Sequence, residues 1–196
     1  MRRIVGILAL QGDFAEHASA VERSGARAKL IKTAAELATI DALIIPGGES
    51  TTMGIVAKST GLVKPLQQFV ASGLPVWGTC AGLILLANQA EGQKKDGQTL
   101  LGGLDITASR NFFGRQIQSF SASLSAPKIT PQPITVMFIR APGITRVGPQ
   151  VEVLANQSYD GHDIPVAVRQ GNILATSFHT ELDINPKFHN YFLSFN

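Results

Sequence analysis

The sequence predicts an α/β fold in which a mostly parallel central sheet is flanked by helices. Short, continuous apolar runs recur through the first half, as expected for strands covered on both faces. Helix-forming stretches separate these runs, and strand-helix alternation implies βαβ units with right-handed crossovers. From residue 100 onward the pattern changes to closely spaced β-like runs, which predicts antiparallel or edge strands added in the C-terminal half.

The first half alternates strands with helices that carry start signals. Asp13 and Glu16 have capping-box spacing ahead of one helix, and Thr33 and Glu36 repeat that spacing ahead of a short one. The predicted strands are residues 4–10, 28–31 and 42–45, and a further helix is predicted over 61–72.

The second half begins with a polar loop at residues 91–99 and continues mainly with strands. These are expected at residues 104–108, 118–124, 134–139, 151–155, 164–169 and 173–178, with a hairpin turn at 170–172. Asn185 as N-cap, with Pro186 at the first helical position, predicts the start of a last helix.

Composition limits the classes of protein that need considering. The 196 residues are 44% hydrophobic and 16% charged, and we expect a single domain spanning 1–196. The net charge of +3 is spread without a basic run, which argues against nucleic acid as a partner. One cysteine, with no signal peptide or membrane-span pattern, favours a cytosolic protein. No cofactor is implied, and no residues have metal-ligand spacing.

One stretch suggests nucleophilic chemistry. An apolar run leads into GTCAG at residues 78–82 and then directly into the apolar, helix-favouring LILLA, which is the cysteine version of a nucleophile elbow. Such a turn would present Cys80 at the end of the sheet, where the helix N-terminus favours the thiolate. The backbone N–H of Ala81 is then a natural oxyanion donor. The alternative is that Cys80 is a small buried hydrophobe.

A glycine-rich loop, PGGEST at residues 46–51, follows the third predicted strand. Sites in open α/β sheets lie beyond the carboxyl ends of strands, so this loop and the elbow should share one rim. Gly47 and Gly48 can expose backbone N–H groups to a ligand, and Ser50 or Thr51 can cap the next helix. A simple turn and N-cap is the alternative, and the spacing is not that of a phosphate-binding P-loop.

A histidine and a carboxylate end the last predicted strand. His179 and Glu181 are two residues apart, so in extended backbone they face the same side. This pair supplies a base for the thiol and a carboxylate that orients the imidazole. His179 could equally be a surface or satisfied core histidine. His17, His162 and His189 lie in less favourable places, two in helices and one in a loop.

Arginines occur in two segments at strand ends, at Arg110 and at Arg140. Because a guanidinium makes fork-like contacts to carboxylates, either segment fits a carboxylate-bearing substrate or a structural ion pair.

With these residues assembled, the sequence resembles the class I glutamine amidotransferases, which have a flavodoxin-like fold. Within that class it resembles the family of glutaminase subunits of pyridoxal 5′-phosphate synthase, the PdxT or SNO family. The segments that carry the resemblance are GILALQG at 6–12, PGGEST at 46–51, GTCAG at 78–82, RNFFGRQ at 110–116, FIRAP at 138–142 and FHTEL at 178–182.

The resemblance implies hydrolysis of L-glutamine to glutamate and ammonia, with Cys80, His179 and Glu181 as the catalytic triad. It places glutamine contacts at Gly47, Gly48, Glu49, Arg110, Ile139 and Arg140, and it places Gln11 near the oxyanion site and the partner interface. The implied partner is a separate (β/α)8-barrel synthase subunit that receives the ammonia, and docking is expected to activate a glutaminase that is weak alone.

Three positions depart from the family pattern. Thr180 stands where the family usually has Pro, Ser121 where it usually has Glu, and Phe112 where it usually has Ala. Three alternatives stay open: an amidotransferase serving another synthase, such as the imidazole-glycerol-phosphate barrel; a non-catalytic scaffold; and a peptidase- or chaperone-like relative built on the same elbow.

Overall fold

A computed structural model describes residues 2–92, 97–110, 112–114, 119–183 and 186–196. Twelve strands and six helices are present in these ranges. In chain order they are β1 (Ile4–Leu8), α1 (Phe14–Arg23), β2 (Arg27–Ile31), α2 (Ala34–Leu37), β3 (Ala42–Ile45), α3 (Ser50–Ser59), α4 (Val63–Ala71), β4 (Val76–Thr79), α5 (Ala81–Leu86), β5 (Ala87–Glu91), β6 (Leu104–Ser109), β7 (Phe120–Leu124), β8 (Ile134–Phe138), β9 (Gly143–Val147), β10 (Glu152–Tyr159), β11 (His162–Gln170), β12 (Ile173–Thr176) and α6 (Lys187–Leu193).

The main sheet has seven strands in the order β10-β11-β12-β4-β3-β1-β2. The five from β12 to β2 are parallel, while β10 and β11 are antiparallel additions at one edge. This confirms the α/β class and the mostly parallel central sheet with antiparallel strands from the C-terminal half. The predicted hairpin turn at 170–172 joins β11 to β12.

Two small sheets lie outside the main one. One contains β5, β6 and β9, and the other pairs β7 with β8. The sequence did not predict β5 or β9. Strand β5 reads ANQAE, and only Ala87 of its five residues is buried, so an apolar pattern is missing.

The central strands are buried on both faces because helices cover each side. Along β3, Leu43 and Ile45 pack with residues of α3, α4 and α5, whereas Ala42 and Ile44 pack with residues of α1 and α6. This alternation is the two-residue period of a strand in a three-layer arrangement. In the described ranges, no helix is long and apolar enough to cross a membrane.

The helix starts differ partly from expectation. Thr33 and Glu36 form the predicted reciprocal capping box. Asp13 is the N-cap residue of α1, but its side chain makes no capping hydrogen bond. Helix α3 is capped by Glu49 and not by Ser50 or Thr51. Pro186 is the N-cap of α6, so this helix starts one residue later than predicted, and Asn185 lies outside the described residues. The division into one domain stays a prediction.

Candidate active site

The predicted elbow is present between β4 and α5. Cys80 has φ 47° and ψ −99°, a left-handed conformation that is strained for a residue with a side chain. Its backbone N–H donates to the carbonyl of Thr176 on β12 at 2.8 Å. Glycine is required at position 82, because a Cβ there would overlap the carbonyl oxygen of Ile45. The turn is thus held by both neighbouring strands.

Cys80 lies in the wall of a cavity of about 360 Å³. Only 7% of the residue is exposed, so it is not displayed at the surface as the elbow pattern predicted. The cavity provides access to the thiol instead, and its volume is in the range of small-molecule sites. The lining residues are Asp13, Gly48, Glu49, Ser50, Cys80, Ala81, Ile84, Arg110, Ile139, Arg140 and His179.

His179 and Glu181 meet beside this cavity. The Nδ1 atom of His179 is 2.5 Å from Oε1 of Glu181 and 3.3 Å from Oδ2 of Asp13. Strand β12 ends at Thr176, so the pairing does not come from extended strand geometry. A bridge fixes the backbone of His179 instead, with its N–H donating to the carbonyl of Met137 at 2.9 Å.

These neighbours decide the charge of the imidazole. Burial alone would lower the pKa of His179, but hydrogen bonds with Asp13, Cys80 and Glu181 outweigh it and raise that pKa to about 12. The hydrogen bond with His179 lowers the pKa of Asp13, although partial burial of the carboxylate opposes this shift. The imidazole is therefore positively charged at neutral pH and hydrogen-bonds to Cys80.

Thr180, which stands in place of the usual proline, supports the carboxylate. Its backbone N–H donates to Oε2 of Glu181 at 2.9 Å, a bond that proline could not make. Of the other two departures, Ser121 is exposed on β7 opposite Met137, and Phe112 makes an edge-on ring contact with Phe113.

The glycine-rich loop is organised by Glu49. Its carboxylate accepts from the N–H groups of Thr51 at 3.2 Å and Thr52 at 2.7 Å and pairs with Arg110 Nη2 at 3.0 Å. Burial tends to raise the pKa of Glu49, but hydrogen bonds from Thr52 and Thr51 outweigh it and lower that pKa to about 2. Gln11 holds the same loop, because its Oε1 accepts from the N–H of Glu49 at 2.6 Å.

The remaining predicted residues lie in or beside the cavity wall. The carbonyl of Ile139 is 3.9 Å from Sγ of Cys80, and Arg140 has a left-handed φ of 47°. Gly47 approaches the imidazole so closely that a Cβ there would lie 2.6 Å from Cε1 of His179. Its carbonyl accepts from the N–H of Asp13 at 3.3 Å. Of the RNFFGRQ segment, residues 111 and 115–116 lie outside the described ranges.

Sequence reasoning missed three residues. The sequence indicates a helix cap at Asp13 and ordinary helical positions at His17 and His189, yet Asp13 lies beside His179, His17 beside Glu181, and His189 contacts His17. Within the described part of the chain, ligand atoms of Asp13, His179 and Glu181 also lie within 4.8 Å of one another, which could hold a metal ion. Sequence spacing predicted no such group, and hydrogen bonding of the His179 ring accounts for it.

Comparisons with known proteins identify the family of the chain. A family model described as the SNO glutamine amidotransferase family matches residues 7–195. The chain is 48% identical to a probable pyridoxal 5′-phosphate synthase subunit PDX2 of Arabidopsis thaliana, covering 96% of this chain and 84% of that protein. It is 49% identical to the pyridoxal 5′-phosphate synthase subunit PdxT of Frankia casuarinae, covering 96% and 92%. A crystal structure of a glutamine amidotransferase superimposes with a TM-score of 0.87 at 45% identity, covering 96% of both chains.

Proposed function

Because this chain belongs to the SNO glutamine amidotransferase family, we propose that it hydrolyses L-glutamine to glutamate and ammonia and delivers the ammonia to a pyridoxal 5′-phosphate synthase subunit. The observation that carries the proposal is the strained elbow that places Cys80 in the cavity wall beside His179. The names of the relatives support the choice of synthase over the imidazole-glycerol-phosphate alternative.

The proposed reaction proceeds through a thioester. The Cys80 thiolate attacks the side-chain amide carbon of glutamine, and the resulting tetrahedral intermediate expels ammonia after His179 donates a proton to the leaving nitrogen. Water, deprotonated by His179, then attacks the γ-glutamyl thioester and releases glutamate and the thiol. Glu181 orients the imidazole through its Nδ1 atom and stabilises its charged form.

Backbone donors would stabilise the oxyanion of each tetrahedral intermediate. The N–H of Ala81 follows the nucleophile at the start of α5, and the Gly47-Gly48 loop lies close to the imidazole ring of His179. Gln11 acts indirectly in this proposal, because its hydrogen bond to Glu49 fixes the end of that loop.

The cavity carries charges of both signs, which suit a free amino acid with its α-amino and α-carboxylate groups. Acidic Asp13 and Glu49 and basic Arg110 and Arg140 all line it. We assign glutamine contacts to Gly47, Gly48, Glu49, Arg110, Ile139 and Arg140.

The proposed partner is a (β/α)8-barrel synthase subunit, and docking would activate the glutaminase by completing the oxyanion site. Losing one oxyanion donor typically costs about 100- to 1000-fold in rate, so such a switch would be effective. A cytoplasmic location is part of the proposal, supported by the single cysteine.

The test is a glutaminase assay of wild type and Cys80→Ala, each with and without a pyridoxal phosphate synthase barrel subunit. We expect the complex of wild type to release glutamate faster than the chain alone, and Cys80→Ala to lose at least about 10⁴-fold in rate while still binding the barrel. Equal rates for the two proteins in the complex would overturn the proposal. Equal rates for wild type with and without the barrel would overturn the activation by docking.

A further inference from the structure

A chain of buried polar side chains continues from the triad into the core. Beyond Glu181 lies His17 of α1, whose Nε2 is 3.5 Å from Oε2 of Glu181 and 3.1 Å from Oγ1 of Thr79. On its other side, Nδ1 of His17 is 3.0 Å from Nε2 of His189 in α6. His17, Thr79 and His189 are completely buried. The triad is thus linked to a helix at the far end of the sequence.

The hydrogen positions along this chain follow from the donor and acceptor chemistry. The hydrogen-bond partner of His17 Nε2 is Oγ1 of Thr79 at 3.1 Å, and the carboxylate of Glu181, which can only accept, is 3.5 Å away, so a hydrogen on Nε2 suits both oxygens. A neutral imidazole has a single N–H, which leaves Nδ1 of His17 as an acceptor for Nε2–H of His189. Nδ1 of His189 is then bare, and it has no hydrogen-bond partner among the described residues. A nitrogen without hydrogen fits this position better than an N–H, because a buried N–H without a hydrogen-bond partner is rarely found.

Both rings are neutral. Burial lowers the pKa of His17 well below its usual value, and positive charge on His189 or His179 would lower it further. Burial, with the charge of Arg23, lowers the pKa of His189 to about 3. Trp77 contacts both rings edge-on, with centroid separations of 5.5 Å and 4.7 Å. The two histidines therefore act as fixed hydrogen-bond donors and not as charges.

We propose that His17 is a positioning residue for the triad: its Nε2–H holds one oxygen of Glu181 so that the other stays directed at His179, and His189 fixes the tautomer of His17. The proposal rests on the proposed glutaminase function. Its basis is that Oε2 of Glu181 has two buried donors nearby, His17 Nε2–H at 3.5 Å and the Thr180 N–H at 2.9 Å. Without His17 the carboxylate keeps only the backbone donor and can rotate away from the imidazole.

Two substitutions separate positioning from packing. His17→Phe keeps an aromatic ring but removes the hydrogen bonds to Thr79 and His189 and the contact with Glu181. His17→Gln retains an amide N–H that can reach Glu181. The matched control is Val21→Ala, which removes apolar volume one turn further along α1 at another fully buried site. Each protein is assayed in complex with the synthase subunit for kcat and KM of glutamine hydrolysis. Cys80 alkylation by iodoacetamide is followed against pH.

We expect His17→Phe to lower kcat by about 10- to 100-fold with unchanged KM, the range known for removing a residue that orients a metal ligand. The pH midpoint of Cys80 alkylation should rise, because a misoriented Glu181 supports the imidazolium less. His17→Gln should recover most of kcat, and Val21→Ala should lower the melting temperature without moving kcat or the midpoint. The proposal would be overturned if His17→Phe kept the wild-type kcat and the wild-type pH midpoint of alkylation. It would also be overturned if Val21→Ala lowered kcat and raised the midpoint to the same extent.

A measurement on the wild-type protein keeps the proposal testable if the variants do not fold. Imidazole ¹⁵N spectra should show His17 neutral at neutral pH, with hydrogen on Nε2 and a bare Nδ1. Hydrogen on Nδ1 of His17, or a charged ring, would overturn the proposal. Failure of the glutaminase function would appear separately, as wild-type complex that releases no glutamate whatever the state of this ring.

Discussion

At the scale of single residues, Asp13 is the site residue whose contact differs most from what the sequence predicts. Sequence spacing made it a helix cap, but its carboxylate lies 3.3 Å from Nδ1 of His179, so two carboxylates share one imidazole nitrogen. Its side chain is 40% exposed, in contrast to the buried Glu181. Asp13 thus adds negative charge to the site from the cavity side, and the raised pKa of His179 reflects both acids.

Asp13→Asn should lower the pKa of His179 and raise the pH midpoint of Cys80 alkylation. The stabilising contact needs a charged imidazole, so it is complete below the unfolded value of 6.5 and is lost as pH rises toward 12. It also needs the Asp13 carboxylate, whose pKa is lowered from 3.8, so it is lost as pH falls below that value. The stability difference between wild type and Asp13→Asn should therefore be largest between about pH 4 and 6.5. Urea unfolding across pH measures it.

The control for Asp13→Asn is Glu16→Gln, which removes an exposed acidic group from the first turn of the same helix. It should leave the alkylation midpoint in place. An unchanged midpoint in Asp13→Asn, or an equal shift in both variants, would show that the Asp13 contact does not influence His179.

Glu49 offers a second titration test. Glu49→Gln keeps one acceptor oxygen for the start of α3 but removes the charge facing Arg110. With 48% of that side chain exposed, we expect a loss of about 0.5–1 kcal/mol in unfolding free energy at pH 7. The depressed pKa of about 2 means that the wild-type advantage is present above pH 4.5 and disappears as pH falls toward 2.

Chemical denaturation at several pH values measures the Glu49 effect. The control is Glu22→Gln on the exposed face of α1, which also removes one acidic charge. A pH-independent difference between wild type and Glu49→Gln would mean that the capping carboxylate does not titrate as described.

At the scale of elements, the strand-turn-helix unit of β4 and α5 depends on glycine. Gly82→Ala would force a methyl group onto the carbonyl of Ile45 in β3, where backbone cannot easily yield. We expect a loss of about 2–3 kcal/mol in stability, since overpacking costs that much and the gain in helix propensity offsets only part of it. Displacement of α5 would also move Ala81 and Cys80, so glutaminase activity should fall.

Gly61→Ala is the comparison for Gly82→Ala. Gly61 has φ +70°, but a Cβ there meets nothing within 4 Å, so the loss should be only about 1–2 kcal/mol with normal activity. Thermal melts and glutaminase assays of both variants test this order. A Gly82→Ala protein as stable and active as wild type would contradict the close packing of α5 against β3.

At the scale of the whole molecule, local pattern predicted the central sheet well and the outer structure less well. Apolar runs such as residues 42–45 are unambiguous because both faces of β3 are buried. Strand β9, GITRV, has three exposed residues and was missed because its partner is a distant strand, β6. Pairing between distant strands leaves little local signal.

The candidate site was likewise predictable only in those parts that local sequence determines. Cys80 lies in a turn whose local sequence dictates its conformation, so the elbow could be predicted. The contact of Asp13 with His179 joins residues 166 positions apart, by the difference of their numbers, and the contact of His17 with His189 spans 172. The second contact arises only when α1 and α6 pack on the same face of the sheet, and no local spacing encodes either contact.

The central claim is that the thiol of Cys80, reached through the cavity, is the nucleophile toward glutamine. The most direct measurement is intact-mass and peptide-level mass spectrometry of the synthase complex after incubation with a glutamine-mimicking electrophile. We predict one adduct per chain, located on Cys80, absent in Cys80→Ala and prevented by excess glutamine. A folded complex whose Cys80 stays unmodified, or is modified equally fast in the presence of glutamine, would contradict the account.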